Sequence, residues 1–162
     1  MRWQTAALVE LEEVEAMEAT PRREVPLRLE REETRAARVL LAEDDREMRA
    51  LLASALRRDG YEVIEAHSGF NLLEEMGVLL QHGEAAPVDL IISDQRMPGF
   101  LGLEILSGLR QAGWSLPFIL ITGFGDRETH EEARRLGATA VFDKPFDLDE
   151  LRAAVLGVFQ PH

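Results

Sequence analysis

VDLIISD, residues 88–94, runs apolar almost without a break and ends in an acid. A strand covered on only one face alternates apolar and polar residues, whereas a strand buried on both faces reads as a continuous apolar run. Residues 88–94 therefore predict an interior strand of a parallel sheet. The turn QRMPGF (95–100) follows, and GLEILSGLRQAG (102–113) has the spacing of a helix.

The same alternation extends in both directions. RVLLAE (38–43) and LPFILIT (116–122) are two more apolar runs that end in polar residues, and YEVIEA (61–66) alternates as a half-covered strand does. ATAVFD (138–143) is a weaker strand. Between them, REMRALLASALRRDG (46–60) is helical through Met48, Leu51, Leu52, Ala55 and Leu56 and stops at Gly60. GFNLLEEMGVLLQHG (69–83), DRETHEEARRLG (126–137) and DLDELRAAVLGVF (147–159) are the other helices. Five strands alternating with five helices predict an α/β fold: a doubly wound parallel sheet with right-handed crossovers. The stretch from Glu74 to Val88 is a little long, which suggests an extended second helix or loop.

Residues 1–35 differ in character. Trp3 to Ala19 reads as a helix with apolar positions among five glutamates, and PRREVPLRLEREETRAA (21–37) is charged, carries two prolines and reads as a linker. The chain thus divides into an acidic helical extension over 1–35 and a globular domain over 36–160. The extension is either a tail or a docking or dimerising helix, which leaves a homodimer open.

Bulk composition narrows the function classes. A net charge of −12 argues against direct binding to nucleic acid, because a duplex-binding domain presents a basic face to the phosphates. The chain has no cysteine, which removes disulfides, thiol chemistry and cysteine metal sites. No apolar run is long enough to cross a membrane, and the glutamate-rich start does not read as a secretory signal, so a cytoplasmic protein is expected.

In open α/β sheets, sites form beyond the carboxyl ends of the strands. Strand ends here supply Glu43-Asp44-Asp45, Asp94, Thr122 and Asp143-Lys144-Pro145, while the second strand ends in plain Ala66-His67-Ser68. Each has an ordinary reading when taken alone: acids after strands cap helices, a threonine at a strand end is structural, and a lysine before proline is a solvated loop residue. Taken together on one edge they suggest chemistry. Clustered carboxylates repel, so either their pKa values rise or a cation sits among them, and an oxygen-only ligand set favours Mg²⁺. A carboxylate beside Mg²⁺ can act as a nucleophile toward a phosphoryl group, with a hydroxyl at Thr122 and an ammonium at Lys144 to compensate the phosphoryl oxygens. Lys144 is the only lysine beside seventeen arginines. A compact ammonium suits such a position where the planar fork of arginine does not.

VLLAEDDREMR, LIISDQRMPGFLGLEIL, FILITGFGD and GATAVFDKPFD together resemble the receiver domain of response regulators in two-component signalling, the CheY-like family. The resemblance runs from about Arg38 to Phe159. It implies a flavodoxin-like sheet of order 2-1-3-4-5 and an Asp94 that accepts a phosphoryl group from a sensor histidine kinase or a phosphotransfer protein. By the same resemblance Mg²⁺ is held by Glu43, Asp44, Asp94 and the backbone carbonyl of Arg96, with Asp45 outside the site at the start of the next helix. Thr122 matches the switch hydroxyl, Lys144 the lysine that pairs with the phosphorylated carboxylate, and Pro145 a cis peptide. Such a chain is not an enzyme, and its signal passes to a downstream protein target through a surface.

The chain departs from the family pattern at three places. Val141 stands where an aromatic residue is usual, with Phe142 beside it; Leu101-Gly102 replaces the acid that often opens the helix after MPG; and Phe124 and Arg96 flank the site, where bulk would limit water and alter the lifetime of an acyl phosphate. Rival readings are a phosphatase or phosphotransferase, which would want an acid where Arg96 stands, and a flavin module, whose phosphate the acids after the first strand would repel. A receiver that docks partners without phosphorylation is the alternative kept open.

Overall fold

The computed structural model describes residues 35–81, 88–123 and 126–160. The expected helix over 3–19, the linker as far as residue 34 and Phe124 lie outside these residues, as does the end of the long stretch before Val88. Within them the chain runs β1 (Arg38–Ala42), α1 (Arg46–Arg58), β2 (Glu62–Ala66), α2 (Gly69–Gln81), β3 (Leu90–Asp94), α3 (Gly102–Gln111), β4 (Phe118–Thr122), α4 (Arg127–Arg135), β5 (Ala140–Asp143) and α5 (Leu148–Phe159). All strand pairs are parallel and the order is β2-β1-β3-β4-β5, the flavodoxin-like order expected.

Strand periodicity divides the core into two layers, since successive side chains point to opposite faces. Leu40, Ile91, Phe118 and Leu120 face α2 and α3 and meet Leu72, Met76, Ile105, Leu106 and Leu109. Val39, Leu41, Ile92, Ile119 and Ile121 face the other way, against Leu52 and Leu56 of α1 and Leu151 and Val155 of α5. β3 and β4 are buried at every position, which is why they read as unbroken apolar runs. β5, at the sheet edge, is half-buried throughout and accordingly reads as the weaker strand.

Helices α1, α4 and α5 begin at side chains that accept the free N–H groups of the first turn. Asp45 accepts from Met48 N at 3.0 Å, Asp126 from Thr129 N at 3.2 Å and Asp147 from Asp149 N at 2.7 Å. At the opposite end of the domain, Arg110 of α3 gathers four backbone carbonyls. It donates through Nε to Leu136 (2.8 Å), through Nη1 to Trp114 (2.8 Å) and Leu116 (3.0 Å), and through Nη2 to Gly137 (3.2 Å). Carbonyls at helix C-termini carry partial negative charge, so one guanidinium satisfies the exit of α4 and also the carbonyls of the segment that follows α3.

Candidate functional site

Parallel strands all end on the same edge, and the register fixes which residues meet there. Ala42 pairs with Ser93, so Glu43 and Asp94 leave adjacent strands side by side; Asp94 pairs with Ile121, and Thr122 with Asp143. Strands β1, β3, β4 and β5 thereby bring together the polar residues that the sequence distributes over a hundred positions.

Lys144 is central to the cluster. Its backbone N–H donates to the Thr122 carbonyl at 2.8 Å, extending the β4–β5 ladder by one step, and the peptide to Pro145 is cis, as the family resemblance implied. Its Nζ lies 2.9 Å from Asp94 Oδ2 and 2.9 Å from Glu43 Oε1. The contact to Asp94 is a well-directed hydrogen bond. The contact to Glu43 is an ion pair off the hydrogen-bonding direction, and Glu43 Oε1 is left buried without a hydrogen-bond partner. The other oxygen of Glu43 accepts from the Asp45 N–H at 3.2 Å.

Burial distinguishes the three acids. Glu43 is 1% exposed and Asp94 5%, whereas Asp44 is exposed to solvent. Burial pushes Glu43 up to about 7; Lys144 pulls it back, and neighbouring Asp94 raises it further. Burial also pulls the Lys144 ammonium down, yet its hydrogen bond to Asp94 and its ion pair with Glu43 outweigh that, and its proton is held more tightly than usual. Like charges have been brought together in a low dielectric with one cation for two buried carboxylates.

Carboxylate oxygens of Glu43, Asp44 and Asp94 all lie within 4.8 Å of one another. Such a set, with no sulfur or imidazole and with a buried oxygen lacking a hydrogen bond, fits a hard divalent cation such as Mg²⁺, whose remaining positions water and phosphate oxygens fill. Thr122 is buried at 1% exposure at the end of β4, next to Lys144 across the ladder. Arg96 sits two residues past Asp94 with its side chain exposed, and its charge helps to lower Asp126, chiefly held down by hydrogen bonds from Thr129. Asp45 caps α1, as expected.

Val141 and Phe142 lie on opposite faces of β5. Val141 packs against the α2–α3 layer and Phe142 against the α1–α5 layer, 6.2 Å in ring centroids from Phe146. The neighbouring aromatic therefore does not stand in for the missing one.

Several contacts around the site have no sequence signal strong enough to predict them. Arg49 of α1 donates to the Glu43 carbonyl at 2.8 Å, fixing the acidic loop. His130 Nε2 of α4 lies 2.7 Å from Asp143 Oδ1, the residue before Lys144, and so ties α4 to the end of β5. Gln95, directly after Asp94, is 7% exposed and its Oε1 accepts from Leu103 N at 2.8 Å. A leucine at the start of α3 was the one available hint that an acceptor had to come from elsewhere.

Residues 39–156 match the family model of the response regulator receiver domain. The chain is 31% identical over 118 residues to sporulation initiation phosphotransferase F of Bacillus subtilis (strain 168), covering 73% of this chain and 90% of that protein. It is 37% identical over 117 residues to the transcriptional regulatory protein FixJ of Azorhizobium caulinodans, covering 72% of this chain and 52% of the relative, so it spans only about half of that regulator. Among solved structures, the chemotaxis response regulator CheY4 of Vibrio cholerae superposes with a TM-score of 0.63 at 28% identity, covering 77% of this chain and all (100%) of the other.

Proposed function

The chain belongs to the response regulator receiver domain family of two-component signalling, and from that membership we propose that it is a phosphoryl-accepting switch. A carboxylate oxygen of Asp94 attacks the phosphorus of a phosphohistidine on a sensor histidine kinase or phosphotransfer protein. The P–N bond breaks, its electron pair returns to the imidazole, and that ring takes up a proton. Asp94 is left as a mixed carboxylic–phosphoric anhydride. Glu43, Asp44, Asp94 and the Arg96 carbonyl hold Mg²⁺, which when bound offsets the charge of the phosphoryl oxygens.

The chain's own groups do the rest. Lys144, already 2.9 Å from Asp94, moves its ammonium onto a phosphoryl oxygen, and the Thr122 hydroxyl donates to another. These two displacements bias a two-state surface read by a downstream protein. One phosphoryl group is taken up per chain, so the protein is a signalling component and not a turnover enzyme. The reading places it in the cytoplasm, without direct contact to nucleic acid or membrane; among the described residues no helix is long and apolar enough to cross a membrane. Residues 1–35 are proposed as an acidic extension and linker, either a tail or a docking or dimerising helix, ahead of a receiver over 36–160.

The observation that carries this reading is the single ammonium held at 2.9 Å by both Glu43 and Asp94, beside a third carboxylate. Intact-mass spectrometry after incubation with acetyl phosphate and Mg²⁺ tests it. One added phosphoryl group that requires Mg²⁺ and vanishes in Asp94→Asn is the expected result. No gain in the parent chain, with acetyl phosphate or a phosphorylated kinase, overturns the reading in favour of a docking module that works without phosphorylation, for which Val141 leaves room.

A further inference from the structure

Helix α3 begins without an acceptor of its own. Leu101 holds the N-cap position in an extended conformation (φ −72°, ψ 149°), and its side chain cannot accept a hydrogen bond. The first-turn N–H groups of a helix have no partner within the helix and must find one outside it. Here Gln95 takes two of them: its backbone oxygen accepts from Gly102 N at 2.9 Å and its side-chain oxygen from Leu103 N at 2.8 Å. The Glu104 carboxylate accepts from Leu101 N at 2.8 Å and closes the turn.

The position of Gln95 gives this capping a consequence for the site. It follows Asp94 directly, is 7% exposed, and its own N–H donates to the Ile121 carbonyl of β4 at 2.7 Å. One residue therefore joins the end of β3, the end of β4 and the first turn of α3. The loop 96–101 leaves Gln95 and returns to it, and Arg96 is the first residue inside that loop. Contact is close on the far side as well: a Cβ on Gly102 would lie 2.7 Å from the Asp94 carbonyl oxygen. A shift of the α3 terminus is thus felt at once by the Asp94 peptide.

We propose that Gln95 is a positioning residue for the metal site: its amide, by holding Leu103 N–H, fixes the 96–101 loop and with it the Arg96 carbonyl. The inference rests on the metal reading given above and assigns to this chain a means of its own for setting that ligand. Chemistry favours an amide here. A cap must accept a hydrogen bond, and a carboxylate in this buried place would add a fourth negative charge beside Glu43, Asp44 and Asp94, whereas an amide oxygen accepts without charge. Groups that hold metal ligands in place typically govern affinity nearly as strongly as the ligands themselves.

Isothermal titration of the full chain with MgCl₂, alongside thermal melting in EDTA, tests the role without any phosphorylation assay. Gln95→Leu removes the acceptor, and Gln95→Asn keeps the amide but shortens its reach, serving where the leucine variant does not fold. Each is expected to weaken Mg²⁺ binding by about tenfold. Adding Leu101→Asp to either restores an acceptor at the N-cap and is expected to recover most of that loss. Variants that melt earlier in EDTA yet bind Mg²⁺ as the parent does overturn the proposal and leave Gln95 as a cap alone. So does lost binding that Leu101→Asp fails to recover. A parent chain that binds no Mg²⁺ instead overturns the metal reading itself, and this inference with it.

Discussion

Glu43→Gln is expected to stabilise the metal-free protein at pH 8 and to do almost nothing at pH 4.5. Glu43 is 1% exposed, and burial beside Asp94 raises it from 4.5 to about 7 even with Lys144 at 2.9 Å. The folded chain consequently holds this proton more tightly than the unfolded chain does. Stability from that preference is fully present below pH 4.5 and is lost as pH rises through 7. At about 1.36 kcal/mol per pH unit the displacement corresponds to about 3 kcal/mol. Glutamine mimics the protonated acid and carries no such slope. Urea unfolding followed by far-UV circular dichroism, at pH 4.5 and pH 8 in EDTA, gives the difference between parent and variant, in which all other titrations cancel. Adding Mg²⁺ at pH 8 is expected to stabilise the parent and leave the variant nearly unmoved. A parent–variant difference that is the same at both pH values would refute the argument, because burial would then not be what perturbs this carboxyl.

Two further outcomes follow from close contacts. In Gly102→Ala the new Cβ meets the Asp94 carbonyl oxygen and Leu120 Cδ1, each at 2.7 Å, and a destabilisation of about 1–3 kcal/mol is expected in chemical unfolding. Gly157→Ala, on α5 with nothing within 4 Å, serves as the contrast and is expected to gain about 0.5–1 kcal/mol; equal effects at the two positions would refute the packing argument. Lys144→Arg keeps the charge but replaces a compact ammonium that sits 2.9 Å from two carboxylates with a planar fork. Acetyl-phosphate labelling followed by mass spectrometry is expected to slow by about tenfold or more, and a rate equal to the parent would show that any cation suffices.

The sheet was legible because its interior strands carry unmixed apolar runs, and the strand order came with the family resemblance. The polar edge was legible for a related reason: parallel strands must all end on one side, so the residue after each run is placed without knowing any contact. What the sequence does not carry is relative burial. Glu43 and Asp44 are consecutive acids, yet one is buried and the other exposed, since only the first continues the direction of β1. Gln95 was missed because an amide after a strand has no periodicity to betray it, and its partner lies eight residues on, in a helix whose own start shows only an unhelpful leucine. The contact of His130 with Asp143 joins two elements through side chains on a polar helix and an edge strand, where patterning is weakest. By contrast, that Phe142 cannot replace an aromatic at 141 follows from the two-residue period of a strand and was available from the start.

Arg110 has a mechanical meaning beyond its four hydrogen bonds. It anchors the outgoing end of α4, through the carbonyls of Leu136 and Gly137, to the body of the domain. The other end of α4 is held by His130 to Asp143, one residue from Lys144. A helix fastened at one end and pushed at the other does not slide; it swings. From His130 to Leu136, at a rise of about 1.5 Å per residue, the lever arm is about 9 Å, so a displacement of about 1 Å at His130 turns α4 through about 6°. The exposed face near the fulcrum stays almost still while that near the free end sweeps furthest. A partner gripping α4 close to Arg110 would sense little, and one gripping beside His130 would sense nearly the whole stroke.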